Sequence, residues 1–136
     1  MKKHDNLTTR EEELLNILWD FNEPLTQNEM AERLESQGWN NVTLFKTVQS
    51  LSSAGYLEVV GLEKSTKTYA RKLMPAMTKE EFYSSLLMKK GMDSDSLANI
   101  TAAFIGVSKK DEKEKNIEVI AKLEEIIAKL REENQE

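Results

Sequence analysis

From Ser36 to Leu57 the chain reads SQGWNNVTLFKTVQSLSSAGYL and contains no Asp or Glu. Asn41, Thr43 and Gln49 can donate hydrogen bonds to phosphate oxygens or base edges, and Lys46 can hold a phosphate or read a guanine edge. Val42 and Ser50 fall on the same side of a helix through these residues, and a Thr methyl can meet a thymine methyl. A second acid-free run, KSTKTYARK from Lys64 to Lys72, adds Lys64, Lys67, Arg71 and Lys72. The whole chain has 24 acidic and 19 basic residues and a net charge of −5, which by itself argues against a polyanionic partner. Distribution matters more than the total: two neighbouring acid-free segments in an acidic chain read as one surface kept clear for a polyanion.

Catalytic constellations are poorly supplied. His4 is the single histidine and sits in a terminal segment. The acid pairs Asp93/Asp95 and Glu124/Glu125 have no histidine or cysteine beside them and read as solvated or capping residues. With no cysteine there is no disulfide, thiolate metal site or cysteine nucleophile. The five glycines are scattered and form neither a phosphate loop nor a dinucleotide fingerprint. The expectation is a protein that is not an enzyme and uses no cofactor and no metal. MKKHDNL runs into TTREEE without an apolar stretch, and no run approaches the roughly 18 apolar residues of a membrane span. A cytoplasmic protein with no membrane association is expected.

The elements that position these residues follow from capping and periodicity. Thr8 or Thr9 with Glu11 or Glu12 forms a capping box ahead of Leu14, Ile17, Leu18 and Phe21, spaced i, i+3, i+4, i+7. Asn22, Glu23 and Pro24 end that helix. Thr26 with Glu29 opens a second one that buries Met30, Ala31 and Leu34 and stops at Gly38. Asn40 or Asn41 caps a third, closed at Gly55. At about 100° per residue Leu44, Val48 and Leu51 share one arc, while Val42, Thr43, Lys46, Gln49, Ser50 and Ser53 lie opposite. Phe45 falls at the edge of the two faces and is assigned to the core, and Trp19 and Trp39 read as core and interface anchors. Tyr56–Val60 and Thr68–Lys72 then read as two strands joined by the loop GLEKSTK.

Three helices followed by a hairpin is the order of a winged helix-turn-helix, in which the third helix enters the major groove and the hairpin, the wing, lies on the backbone. Met74-Pro75 marks a boundary, giving a winged-helix DNA-binding domain at 1–73 and a helical domain at 74–136. In the second, Thr78 with Glu81 caps a helix towards Lys90. Asp93–Ile105 is another, and a third runs from about Lys110 to Glu133. Leu97, Ile100, Phe104, Ile117, Ile120, Leu123, Ile127 and Leu130 form apolar stripes too extensive for so small a segment to bury alone, so they are assigned to dimerisation. The fold class is mainly α.

LTTREEELLNILWD, LTQNEMAERL and GWNNVTLFKTVQSLSSAGYLE, followed by a hairpin ending near a proline, resemble the penicillinase-repressor family of bacterial winged-helix regulators. That family includes the methicillin-resistance and copper-transport repressors. The most specific points of likeness are Trp19, Trp39, Thr43-Leu44, Val48, Leu51 and the Gly55 turn. The resemblance implies a homodimeric transcriptional repressor that binds double-stranded DNA at a palindromic operator, often built on TACA/TGTA half-sites. It also implies a possible proteolytic site at Ala103-Phe104, cut on the signal of a regulatory protease or sensor. This chain has Ala103 where the cleaved members have asparagine. It has Val42, Phe45 and Ser50 where members have basic residues, and it lacks the tail cysteines of the copper-responsive type. The alternative is a winged-helix protein–protein interaction module without specific DNA binding.

Overall fold

A computed structural model describes residues 6–108 and 113–135. His4 and Lys110 lie outside the described residues. Among these residues the protein is mainly helical, with one two-stranded antiparallel hairpin. The chain falls into two compact units, Met1–Leu87 and Met88–Glu136.

In the first unit α1 (Thr9–Phe21) starts at Thr8, whose backbone N–H donates to Glu11 Oε1 at 2.8 Å while the Glu11 N–H donates to Thr8 Oγ1 at 3.1 Å. The same reciprocal pair, Thr26 with Glu29, opens α2 (Gln27–Leu34) at 2.8 and 3.1 Å. Each box satisfies two of the N–H groups that a helix start leaves without partners. Asn22 ends α1 in the left-handed region (φ 54°), which asparagine tolerates better than most side chains. A 3-10 turn at Glu35–Gln37 leads past Gly38 to α3 (Asn41–Ser53), capped by the Asn40 side chain. Gly55, at φ 90°, turns the chain from α3 towards the hairpin.

The core of this unit gathers Leu14, Leu15 and Leu18 of α1, Met30 and Leu34 of α2, and Leu44, Val48 and Leu51 of α3, with Leu57 and Leu73 from the strands. Ile17, Phe21, Ala31 and Phe45 sit at its margin, and Trp39 is buried with the Arg10 guanidinium 4.0 Å from its ring. Burying one Leu side chain contributes about 2 kcal/mol, so this cluster dominates the stability of the unit.

The hairpin pairs β1 (Leu57–Lys64) with β2 (Tyr69–Pro75). It is longer than the sequence predicts. Residues 61–64, read there as loop, continue β1, and the turn is confined to the residues between Ser65, whose N–H donates to Thr68 O at 2.7 Å, and Tyr69. Leu25, in the α1–α2 connection, bridges to Leu73 through two backbone hydrogen bonds of 3.1 and 2.9 Å.

The unit also runs past Met74-Pro75, where the sequence places a boundary. The reason is aromatic. Phe82 of α4 (Lys79–Lys89) stands 5.6 Å from Trp19 and 5.9 Å from Tyr56, ring centre to ring centre. Trp19 Nε1 donates to Met77 O at 3.0 Å, and the Tyr83 hydroxyl donates to Glu12 Oε2 at 2.7 Å. The first turn of α4 is closed by Thr78 and Glu81 as predicted.

The second unit contains α5 (Ser94–Ser108) and α6 (Lys113–Glu133). Asp93 Oδ1 accepts the Asp95 and Ser96 N–H groups at the start of α5. Leu97, Phe104, Ile117, Ile120, Ile127 and Leu130 are exposed, and Ile100 and Leu123 are half-buried. No helix among the described residues is long and apolar enough to cross a membrane.

Candidate nucleic-acid interface

The start of α3 differs from its counterparts. α1, α2, α4 and α5 each carry a carboxylate in the first turn, and α3 carries none. A helix start concentrates partial positive charge on its free N–H groups, and acidic side chains there normally neutralise it. Here one of those groups is satisfied by a neutral acceptor: the Thr43 N–H donates to Asn40 Oδ1 at 2.8 Å. The positive end of the helix is thus left available to an external anion.

The outer face of α3 largely matches the helical projection. Asn41, Val42, Lys46 and Gln49 are exposed, and Thr43 is partly so. Ser50 departs from it. Its hydroxyl donates to Glu11 Oε2, a carboxylate buried within α1, so Ser50 ties α3 to α1 and its donor is engaged there. A projection of α3 cannot show this, because the acceptor belongs to a neighbouring helix. Thr47, on the same turn, is buried and donates to Thr43 O at 2.7 Å, a bond back along its own helix.

Beside α3 the hairpin contributes Lys64 at the end of β1, Lys67 in the turn and Arg71 in β2. None of them, nor Lys46, makes an ion pair among the described residues. Lys72 is different. Its ammonium lies 3.0 Å from Glu63 and 3.6 Å from Glu29, and the Glu63 hydrogen bond holds its pKa above the ordinary lysine value. Among the described residues, three of the four cations in KSTKTYARK therefore have no ion-pair partner, and the fourth is neutralised within the unit.

No protein-family model matches this chain, and no curated protein matches it. The site is therefore read from its own geometry.

Between α3 and the hairpin lies an open pocket of ≈ 490 Å³, whose lining includes Phe45, Gln49, Ser52, Arg71 and Gln27. Gln27 brings the start of α2 into the same region, and the sequence reading assigned it no role. Phe45 forms part of the wall while resting on the core. A second open pocket, of ≈ 500 Å³, lies at the end of α1 and includes Trp19, Asn22, Met77 and Thr78. Among the described residues no group of three or more His, Cys, Asp or Glu could hold a metal ion. The geometry suits hydrogen bonding and charge pairing with an extended anion. Ala103 and Phe104 of the second unit lie within α5 and are exposed.

Proposed function

We propose that the protein is a dimeric, sequence-specific DNA-binding transcriptional repressor of the winged-helix type. The observation that carries this reading is the pairing of an acid-free helix, α3, with a hairpin whose Lys64, Lys67 and Arg71 have no ion-pair partner among the described residues. In this reading α3 lies in the major groove, with Asn41, Thr43 and Gln49 at base edges or phosphates, Val42 against a thymine methyl and Lys46 on a guanine or phosphate. The hairpin acts as a wing and supplies backbone contacts that set the register of the helix. Ser50 acts through Glu11, as a brace that fixes the rotation of α3.

The apolar stripes of the second unit support homodimerisation, which would place two copies of α3 on half-sites about one helical turn apart, or a multiple of it. Occupancy of a promoter by such a dimer blocks transcription. A regulatory protease or sensor could relieve it at Ala103-Phe104. Because this bond lies within α5, cleavage requires that helix to open first.

Selection from a random duplex DNA pool by the purified full chain, at about 0.15 M salt where weak backbone contacts are largely screened, tests the reading. Enrichment of a palindrome is the expected result. For four to six phosphate contacts per dimer, log K should fall against log salt with a slope of about −4 to −6. A flat salt profile, or no enrichment by folded dimer, rules the reading out.

The second reading, a winged-helix protein–protein interaction module, is favoured by one feature: Val42, at the start of α3, is 67% exposed. It predicts no DNA preference at physiological salt, and protein binding that is lost on Val42→Asp.

A further inference from the structure

Val60 has no partner across the hairpin. Val59 pairs with Leu73 and Gly61 with Lys72, so β1 carries one residue more than β2 between those pairs. Successive side chains of a strand point to opposite faces, and one inserted residue carries everything beyond it to the other face. Below the bulge, Leu57 and Val59 share with Leu73 the face that lines the α3 pocket. In an unbroken strand Gly61 and Glu63 would continue that face. The bulge gives it instead to Leu62, paired with Arg71, and to Lys64, paired with Tyr69. Arg71 lines the same pocket as Leu73, which fixes the assignment independently. Glu63 is sent to the opposite face, where it meets Lys72 at 3.0 Å.

The hairpin is thereby sorted by charge. On the α3 side stand Lys64 and Arg71, with no ion pair among the described residues, between Leu62 and Tyr69, which are 64% and 62% exposed. On the other side stand Glu58, Glu63 and the neutralised Lys72.

We infer that the Val60 bulge is a positioning device that makes Leu62, Lys64, Tyr69 and Arg71 one strip beside α3, and that this strip is occupied by the sugar-phosphate backbone of duplex DNA. The inference rests on the DNA-binding reading above and adds Val60, Leu62 and Tyr69 to it. Charge complementarity selects the occupant: the cations match phosphates, and Leu62 and Tyr69 offer apolar surface to sugars and groove walls.

The decisive comparison uses two adjacent residues on opposite faces. Arg71→Gln and Lys72→Gln remove the same charge from neighbouring positions. Fluorescence anisotropy with a labelled mixed-sequence duplex, titrated across salt, should show Arg71→Gln binding about fivefold more weakly with a salt slope reduced by about one, and Lys72→Gln within about twofold of the parent. Insertion of one threonine between Lys72 and Leu73, opposite Val60, gives Val60 a partner and turns Leu62, Lys64, Tyr69 and Arg71 to the other face; with hairpin content checked by circular dichroism, it should weaken binding at least as much as Arg71→Gln. Tyr69→Ala should weaken it without altering the salt slope. Equal effects of the two glutamine variants, or parental affinity after the threonine insertion opposite Val60, overturn the sorting while leaving DNA binding intact. A parent chain that fails to bind the duplex even at low salt overturns the DNA reading itself, a result the variants cannot imitate.

Discussion

In the first unit Leu14, Leu44 and Leu51 have no exposed surface, whereas in the second Phe104 and Ile117 leave 72% and 65% of theirs open. Both units are built from amphipathic helices. The difference lies in what the apolar stripes meet. α1, α2 and α3 converge on one another, and the hairpin and the aromatic residues of α4 add further cover. The stripes of α5 and α6 remain largely open within one chain. A soluble surface rarely keeps contiguous apolar patches of this kind unless they are interaction sites. One half of the molecule is folded by its own core, and the other leaves apolar side chains open, which we propose are covered by a second copy of the chain.

The sharpest way to probe that contrast is to damage each half in turn. Leu44→Ala removes a fully buried side chain at the centre of the first unit and should lower its unfolding free energy by about 3 kcal/mol, read from urea denaturation. An equally drastic change in the second unit should act on assembly instead. Phe104→Asp is expected to weaken self-association about tenfold in sedimentation equilibrium, with the first unit's unfolding transition unmoved. If it destabilises the monomer and leaves the dimer intact, Phe104 is a core residue and the contrast fails.

Smaller effects refine the description of the first unit. Thr26→Ala removes the hydroxyl that caps α2 and should cost about 1 kcal/mol, measured in the same denaturation experiment. Its partner Glu29 gives a pH signature. The Thr26 backbone N–H, assisted by nearby Lys72, holds the Glu29 carboxyl below the usual glutamate range. A lowered folded pKa means that the carboxylate's contribution is present above the ordinary glutamate value, about 4.3, and is lost as pH falls through the lowered one. Glu29→Gln should change stability at neutral pH by only a few tenths of a kcal/mol, because Gln also completes a capping box. It should also flatten the acid limb of the stability curve. An unchanged acid limb would show that other carboxylates set it.

Much of this fold is legible in the sequence because local chemistry decides it. Thr8 with Glu11, Thr26 with Glu29, Thr78 with Glu81, the Asn40 cap and the Gly55 turn each fix an element boundary through neighbours no more than a few residues apart. What escapes is decided by distant partners. Ser50 looks solvent-facing on a projection of α3 until Glu11 of α1 is placed beside it. Lys72 looks like one more free cation until Glu29 and Glu63 arrive from a helix and the partner side of the hairpin. β1 resists detection for a different reason: the bulge at Val60 breaks the alternation by which a strand is recognised, so its second half looks like loop. The same break hid Leu62 as a companion of Arg71.

The bridge between Leu25 and Leu73 has a consequence for dynamics. Each residue donates its backbone N–H to the other's carbonyl, both side chains are buried, and the connection joins the start of α2 to a strand far along the chain. Neither amide can meet solvent through fraying of a helix end or opening of the hairpin tip alone. Hydrogen exchange at these two positions should therefore proceed only when the whole unit opens, so their protection factors report its global stability, while the amides near Ser65 and Thr68 report local opening of the turn.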